Sequence, residues 1–122
     1  MTDRTVEIGD YRVGTGHPLL LIAGPCVLQT PEITSQISDV LVRLNERQDV
    51  NVVFKASFDK ANRSSGKSYR GPGMEQGLQI LADVRSELQV PVLTDVHDIG
   101  QIADAAAAVD VLQTPAFLCR QT

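Results

Sequence analysis

The sequence predicts an α/β fold built on a parallel sheet, and three observations carry that expectation. Short apolar runs alternate with stretches of helical periodicity three and a half times along the chain. The run Leu19 to Ala23 is apolar without interruption, as expected of a strand covered on both faces. Polar residues recur where the strands end: Cys26, then Lys55 and Ser57, then Asp95 and His97, then Gln113. Alternation of this kind specifies right-handed crossovers between parallel strands, in either an open doubly wound sheet or a closed barrel. The polar strand ends lean toward the barrel. In a (β/α)8 barrel all such ends face one mouth, whereas in an open sheet only those beside the switch point converge.

Element by element, Val6 to Ile8 and Tyr11 to Val13 flank Gly9-Asp10 as a short hairpin. Leu19 to Ala23 forms the first sheet strand, stopped by Gly24-Pro25. Thr30 and Pro31 supply an N-cap and a proline at the first helical position. Ile33, Ile37, Val40, Leu41 and Leu44 then form an apolar stripe expected to pack on the sheet. Asn51 to Lys55 is the second strand, followed by a long polar loop and by Met74, Leu78, Leu81, Val84 and Leu88 at helical spacing. Pro91 to Asp95 is the third strand, with Ile99, Ile102, Ala103 and Ala106 as the next helical stripe. Val109 to Gln113 is the fourth strand.

With 122 residues, 43% apolar and 21% charged, the chain has the composition of one ordinary globular domain. No apolar run approaches the ~18 residues of a membrane span. Met1 to Tyr11 mixes charges into what would be a signal-peptide core, so a cytoplasmic location and no membrane partner are expected. Cys26 and Cys119 stand 93 residues apart with no CxxC pairing, which argues against a disulfide framework and a local zinc knuckle. A formal charge of -4 disfavours nucleic acid as a partner, yet residues 55 to 70 hold Lys55, Lys60, Arg63, Lys67 and Arg70 against Asp59 alone. An acidic chain that concentrates cations in one segment suits a small anion such as phosphate better than a polyanion, which needs a broader basic face.

The triplet Gly66-Lys67-Ser68 ends like a P-loop, but Ala61 occupies the place of the leading glycine. Tyr69 to Gly73 also separates the triplet from the next helix, where a P-loop opens directly into one. More informative is the stretch from Phe54 to Ser65. Its lysines, arginine, serine hydroxyls and loop amides form either an anion cradle or a solvated basic loop, and the lysines also admit Schiff-base chemistry.

Five segments carry a resemblance: Gly24-Pro25-Cys26, Phe54-Lys55-Ala56-Ser57-Phe58-Asp59-Lys60-Ala61-Asn62-Arg63-Ser64-Ser65, Ser68-Tyr69-Arg70-Gly71-Pro72-Gly73, Thr94-Asp95-Val96-His97 and Gln113-Thr114-Pro115-Ala116-Phe117-Leu118. In order and across essentially the whole chain, they resemble the 3-deoxy-D-manno-octulosonate 8-phosphate synthases. The resemblance implies a (β/α)8 TIM barrel with an N-terminal β-hairpin closing its bottom. These residues would carry only the first four strands and three helices, the N-terminal half of one domain. Open sheet edges would leave that half, by itself, unstable or self-associating and inactive.

Such enzymes join phosphoenolpyruvate, D-arabinose 5-phosphate and water into the eight-carbon sugar acid phosphate of lipopolysaccharide, releasing phosphate without a Schiff base. By resemblance, Lys55 and Ser57 help hold phosphoenolpyruvate, and Lys60 acts between the two substrates. Asn62, Arg63 and Ser64 position the sugar and its 5-phosphate, with Arg63 suited to a bidentate contact. Asp95 takes a sugar hydroxyl or water and is, with Lys60, a catalytic candidate. Gln113 and Ala116 line the phosphoenolpyruvate pocket, and Phe117 and Arg120 reach across the subunit interface of a homotetramer.

Cysteine at position 26, where other members have asparagine, implies the metal-dependent subclass, with Cys26 as one ligand of a divalent transition metal such as zinc, iron or manganese. By residue type alone, a free cysteine is more often a buried, inert thiol. The other ligands, a histidine, a glutamate and an aspartate, would lie beyond these residues. His97 is expected beside the site at the barrel mouth, His17 exposed, and Cys119 structural. The alternatives are related barrels that condense phosphoenolpyruvate with erythrose 4-phosphate or an N-acetyl sugar, of the DAHP or sialic acid synthase type. The Lys60 to Ser65 run disfavours these, and a non-catalytic phosphate-binding fragment is the remaining alternative.

Overall fold

The computed structural model describes residues 4–59 and 71–120. Val6–Ile8 (β1) and Tyr11–Val13 (β2) pair antiparallel, with Val6 opposite Val13. Four parallel strands follow: Leu19–Ala23 (β3), Val50–Lys55 (β4), Val92–Asp95 (β5) and Val111–Gln113 (β6). They alternate with the helices Pro31–Asn45 (α1), Met74–Leu88 (α2) and Ile102–Ala108 (α3). Their order in the sheet, β3-β4-β5-β6, is the order in the chain, without the reversal at which an open doubly wound sheet binds its ligand.

Local chemistry explains the boundaries. Thr30 Oγ1 accepts the Ile33 N–H at 3.3 Å and Pro31 opens α1, so the predicted cap is in place. Helix α2 ends where Gln89 turns left-handed at φ 53°. The fourth strand starts two residues later than its apolar pattern suggests. Val109 still donates to Ala105 O at 3.1 Å to close α3. Asp110 then binds β5 twice, its N–H reaching Val92 O and its Oδ2 accepting the Val92 N–H, both at 2.9 Å.

One core joins the helices to the sheet. Val50, Val52 and Phe54 project from one face of β4 and meet Leu41 of α1, Leu78, Leu81 and Val84 of α2, Val92 of β5 and Ala105 of α3. Val53 and Leu93, on the opposite face by strand alternation, are buried as well. Double-sided burial fails, however, in β3, where Leu19 is 68% and Ile22 45% exposed. That strand is the sheet's edge among the described residues, and α1 lies against β4.

Two predicted helical stripes depart from their spacing, one in part. In α1, Leu41 is buried and Ile37 and Leu44 pack against the core as expected, but Ile33 and Val40 are exposed and Thr34 and Ser38 are buried in their place. Asn45 lies on the same stripe: its Oδ1 accepts the Val52 N–H at 3.1 Å and the Tyr11 hydroxyl at 3.2 Å, tying α1 to β4 and to the hairpin. Burial raises the Tyr11 phenol above its ordinary pKa. Ile99, in the 3-10 turn just before α3, is 86% exposed, and Ile102, Ala103 and Ala106 of α3 also face outward, because Ala105 and, in part, Ala108 meet the core. By contrast, the α2 stripe packs as its spacing requires, with Leu78, Leu81 and Val84 buried and Met74 and Leu88 partly so.

Leu81 is completely buried at the centre of this core. Leu81→Ala is therefore expected to cost about 2–5 kcal/mol, read as a lower urea midpoint with an unchanged m-value.

Candidate active site

The carboxyl ends of β4, β5 and β6 open onto one cleft of about 240 Å³, together with the turn after β3. Parallel register sets their heights. Ala23 is level with Phe54, Lys55 with Leu93, and Asp95 with Gln113, so the polar residue that ends each strand emerges on the same side. The turn after β3 comes unusually close: a Cβ on Gly24 would stand 1.8 Å from Lys55 O, so only glycine lets Pro25 and Cys26 cross the end of β4. Val27 then bridges to Ser57, and Leu28 donates to Ser57 O at 3.0 Å.

Ser57 is buried and folds its own turn. Its hydroxyl donates to Asp59 O at 2.8 Å and accepts the Asp59 N–H at 3.4 Å. Beneath it, Thr94 Oγ1 donates to Ala56 O at 2.8 Å in a fully buried contact, locking β5 to the same segment. Asp95 Oδ2 stands 3.0 Å from His97 Nε2, with both side chains mostly buried. The backbone N–H of His97 donates to Gln101 Oε1 at 2.8 Å. Phe58 meets the imidazole edge-on at 79° and Phe117 stacks on it at 24°, each with a centroid separation of 6.4 Å. Asp95 Oδ1 and His97 Nδ1 are buried without a hydrogen-bond partner among the described residues.

Of the residues singled out from sequence, Cys26, Lys55, Ser57, Asp95, Gln113, Ala116 and Phe117 line this cleft. Arg120 is exposed in the turn beyond it and is not among the lining residues. Lys60, Asn62, Arg63 and Ser64 lie outside the described residues. His97, Asp59 and Pro115 complete the lining. Residue pattern does not single out Asp59 as a site residue, because its sign opposes the cationic run around it. Cys119 is exposed and approaches Pro115 O at 3.5 Å, away from the cleft lining.

The cleft combines an ammonium group, a carboxylate held by an imidazole, an amide and a thiol against the apolar faces of Pro115, Ala116 and Phe117. Lys55 suits an anionic oxygen, and an oriented carboxylate suits a hydroxyl or water. Cys26 is exposed here rather than buried, and it borders the cleft. It fits a soft divalent ion in kind. Among the described residues, no group of three or more His, Cys, Asp or Glu is placed to hold one.

The model of the DAHP synthetase I family matches residues 3–122. The chain belongs to the DAHP synthetase I family. Within it, the chain is 60% identical over 112 residues to a Bordetella bronchiseptica protein named 2-dehydro-3-deoxyphosphooctonate aldolase, covering 92% of this chain and 39% of that one. Proteins of the same name are 53% identical in Methylococcus capsulatus over 119 residues, and 51% in Coxiella burnetii over 117. These matches cover 98% and 96% of this chain and 42% of each relative. The chain thus spans about two fifths of the length of these family members.

Gly24→Ala is expected to destabilise the protein by about 1–3 kcal/mol, because the added methyl must displace the Lys55 carbonyl. A fall in the thermal midpoint checks this. An unchanged midpoint would mean that the Gly24 crossing is loosely held.

Proposed function

We propose that the whole protein condenses phosphoenolpyruvate with D-arabinose 5-phosphate and water, giving 3-deoxy-D-manno-octulosonate 8-phosphate and inorganic phosphate for lipopolysaccharide synthesis. The observation that carries this is the convergence of Lys55, Asp95 and Gln113 from three consecutive strand ends on one cleft. The name shared by relatives at 51–60% identity supports it. Carbon 3 of the enol forms a bond to the sugar aldehyde carbon, whose oxygen takes up a proton. Water adds at carbon 2, and the phosphate leaves as its bond to carbon 2 breaks and the ketone forms.

In this reading Lys55 neutralises the carboxylate or phosphate of phosphoenolpyruvate, and Gln113 and Ala116 border the same pocket. Ser57, whose hydroxyl folds its own turn, shapes the floor. Asp95, oriented through Oδ2 by His97, accepts a hydrogen bond from the attacking water or a sugar hydroxyl. Lys60 stands between the substrates, and Asn62, Arg63 and Ser64 take the sugar phosphate. Cys26 is one ligand of a divalent transition metal, which when bound supplies a Lewis acid. The parallel sheet is the first half of a (β/α)8 barrel in a cytoplasmic homotetramer, where Phe117 and Arg120 border a neighbouring subunit. A second reading, with erythrose 4-phosphate as the aldehyde, is not favoured by the name these relatives share.

The test is phosphate release by the whole protein with each aldehyde in turn. Release from phosphoenolpyruvate that requires arabinose 5-phosphate is expected, and release only with erythrose 4-phosphate would select the second reading. Prolonged chelation is expected to abolish turnover and added zinc or manganese to restore it. Cys26→Ser should lower bound metal measured by elemental analysis. Arg63→Ala is expected to raise the KM for arabinose 5-phosphate about tenfold or more while kcat changes little, because a phosphate contact serves ground and transition states alike.

A further inference from the structure

Gly77 is buried in the first turn of α2, and a Cβ built on it would stand 2.3 Å from Phe58 Cβ and 3.2 Å from Phe58 Cα. Phe58 is itself 1% exposed, and its carbonyl accepts the Gly73 N–H at 3.2 Å, just before the helix begins. Backbone and Cβ of Phe58 are therefore pressed against the start of α2. The Phe58 ring meets His97 in a T-shaped contact, and Phe117 stacks on the same imidazole. His97 Nε2 holds Asp95 Oδ2 at 3.0 Å, while Nδ1 has no partner among the described residues. The plane of the imidazole thus depends on aromatic contacts and a single side-chain hydrogen bond.

We propose that Gly77 is a positioning residue of the active site. By leaving room for Phe58, it lets the phenyl ring hold His97 in the plane where Nε2 donates to Asp95. The inference rests on the reading of Asp95 as a substrate-facing carboxylate, and the experiment separates the two. Helix propensity alone makes alanine the better residue at an interior helical position. A purely local role therefore leaves Gly77→Ala harmless to the site.

The test compares the whole protein with its Gly77→Ala and Phe58→Leu variants, using nitrogen NMR of labelled histidine at alkaline pH together with steady-state kinetics. The wild-type His97 ring is expected as the Nε2–H tautomer. Both variants are expected to show mixed tautomers, with kcat lowered about tenfold and each KM within about threefold. Wild-type ring signals in the folded variants would overturn the proposal, as would mixed tautomers with unchanged kcat in an active enzyme. If Gly77→Ala fails to fold, Phe58→Leu decides alone, since it keeps the Cβ and removes the ring. A wild-type protein that releases no phosphate would defeat the proposed reaction, while the tautomer comparison would still judge the positioning.

Discussion

Parallel pairing in sequence order is the constraint from which the site follows. Each strand of β3-β4-β5-β6 returns through a helix before pairing with the last, so all four carboxyl ends leave the sheet on the same side. Register then places Asp95 level with Gln113 and brings Lys55 up beside Leu93. No long-range electrostatic design is needed to gather a lysine, a carboxylate and an amide. The hydrogen-bond ladder gathers them, and the burial of Val52, Phe54, Leu81 and Val92 keeps the ladder in register.

Close approach refines what pairing sets up. Gly24 lets the chain pass over the Lys55 carbonyl and delivers Cys26 to the cleft; Gly77 lets α2 meet Phe58 without an intervening methyl. Both glycines act where another segment occupies the space of a side chain. Glycine's weak helix propensity at position 77 is accepted in exchange for that contact. The Phe58 ring that packs on α2 is also the one that meets the imidazole of His97.

The exposed apolar side chains follow the same logic of layers. Ile22 and Leu19 lie on the edge strand of the described sheet, Ile99 just before α3 and Ile102 on its outward side. On the opposite flank, Asn45 joins α1, β4 and the hairpin through one carbonyl oxygen.

The order and type of the elements were legible from residue pattern alone, because apolar runs and helical spacing are local properties. Thr30-Pro31 marked a helix start that the structure places there, and Lys55, Asp95 and Gln113 were recognisable as strand ends. The core side of α1 was legible only in part. Ile33 and Val40 are apolar yet exposed, while Thr34 and Ser38 join Ile37, Leu41 and Leu44 on the core side, where Asn45 Oδ1 accepts hydrogen bonds from the distant Tyr11 hydroxyl and Val52 N–H. Nor could sequence reveal that His97 binds Asp95 between two phenyl rings. By itself the sequence determined which groups were available and which strand end each would occupy. Tertiary structure alone decided which of them touch, since contacts between segments tens of residues apart depend on packing that no local pattern encodes.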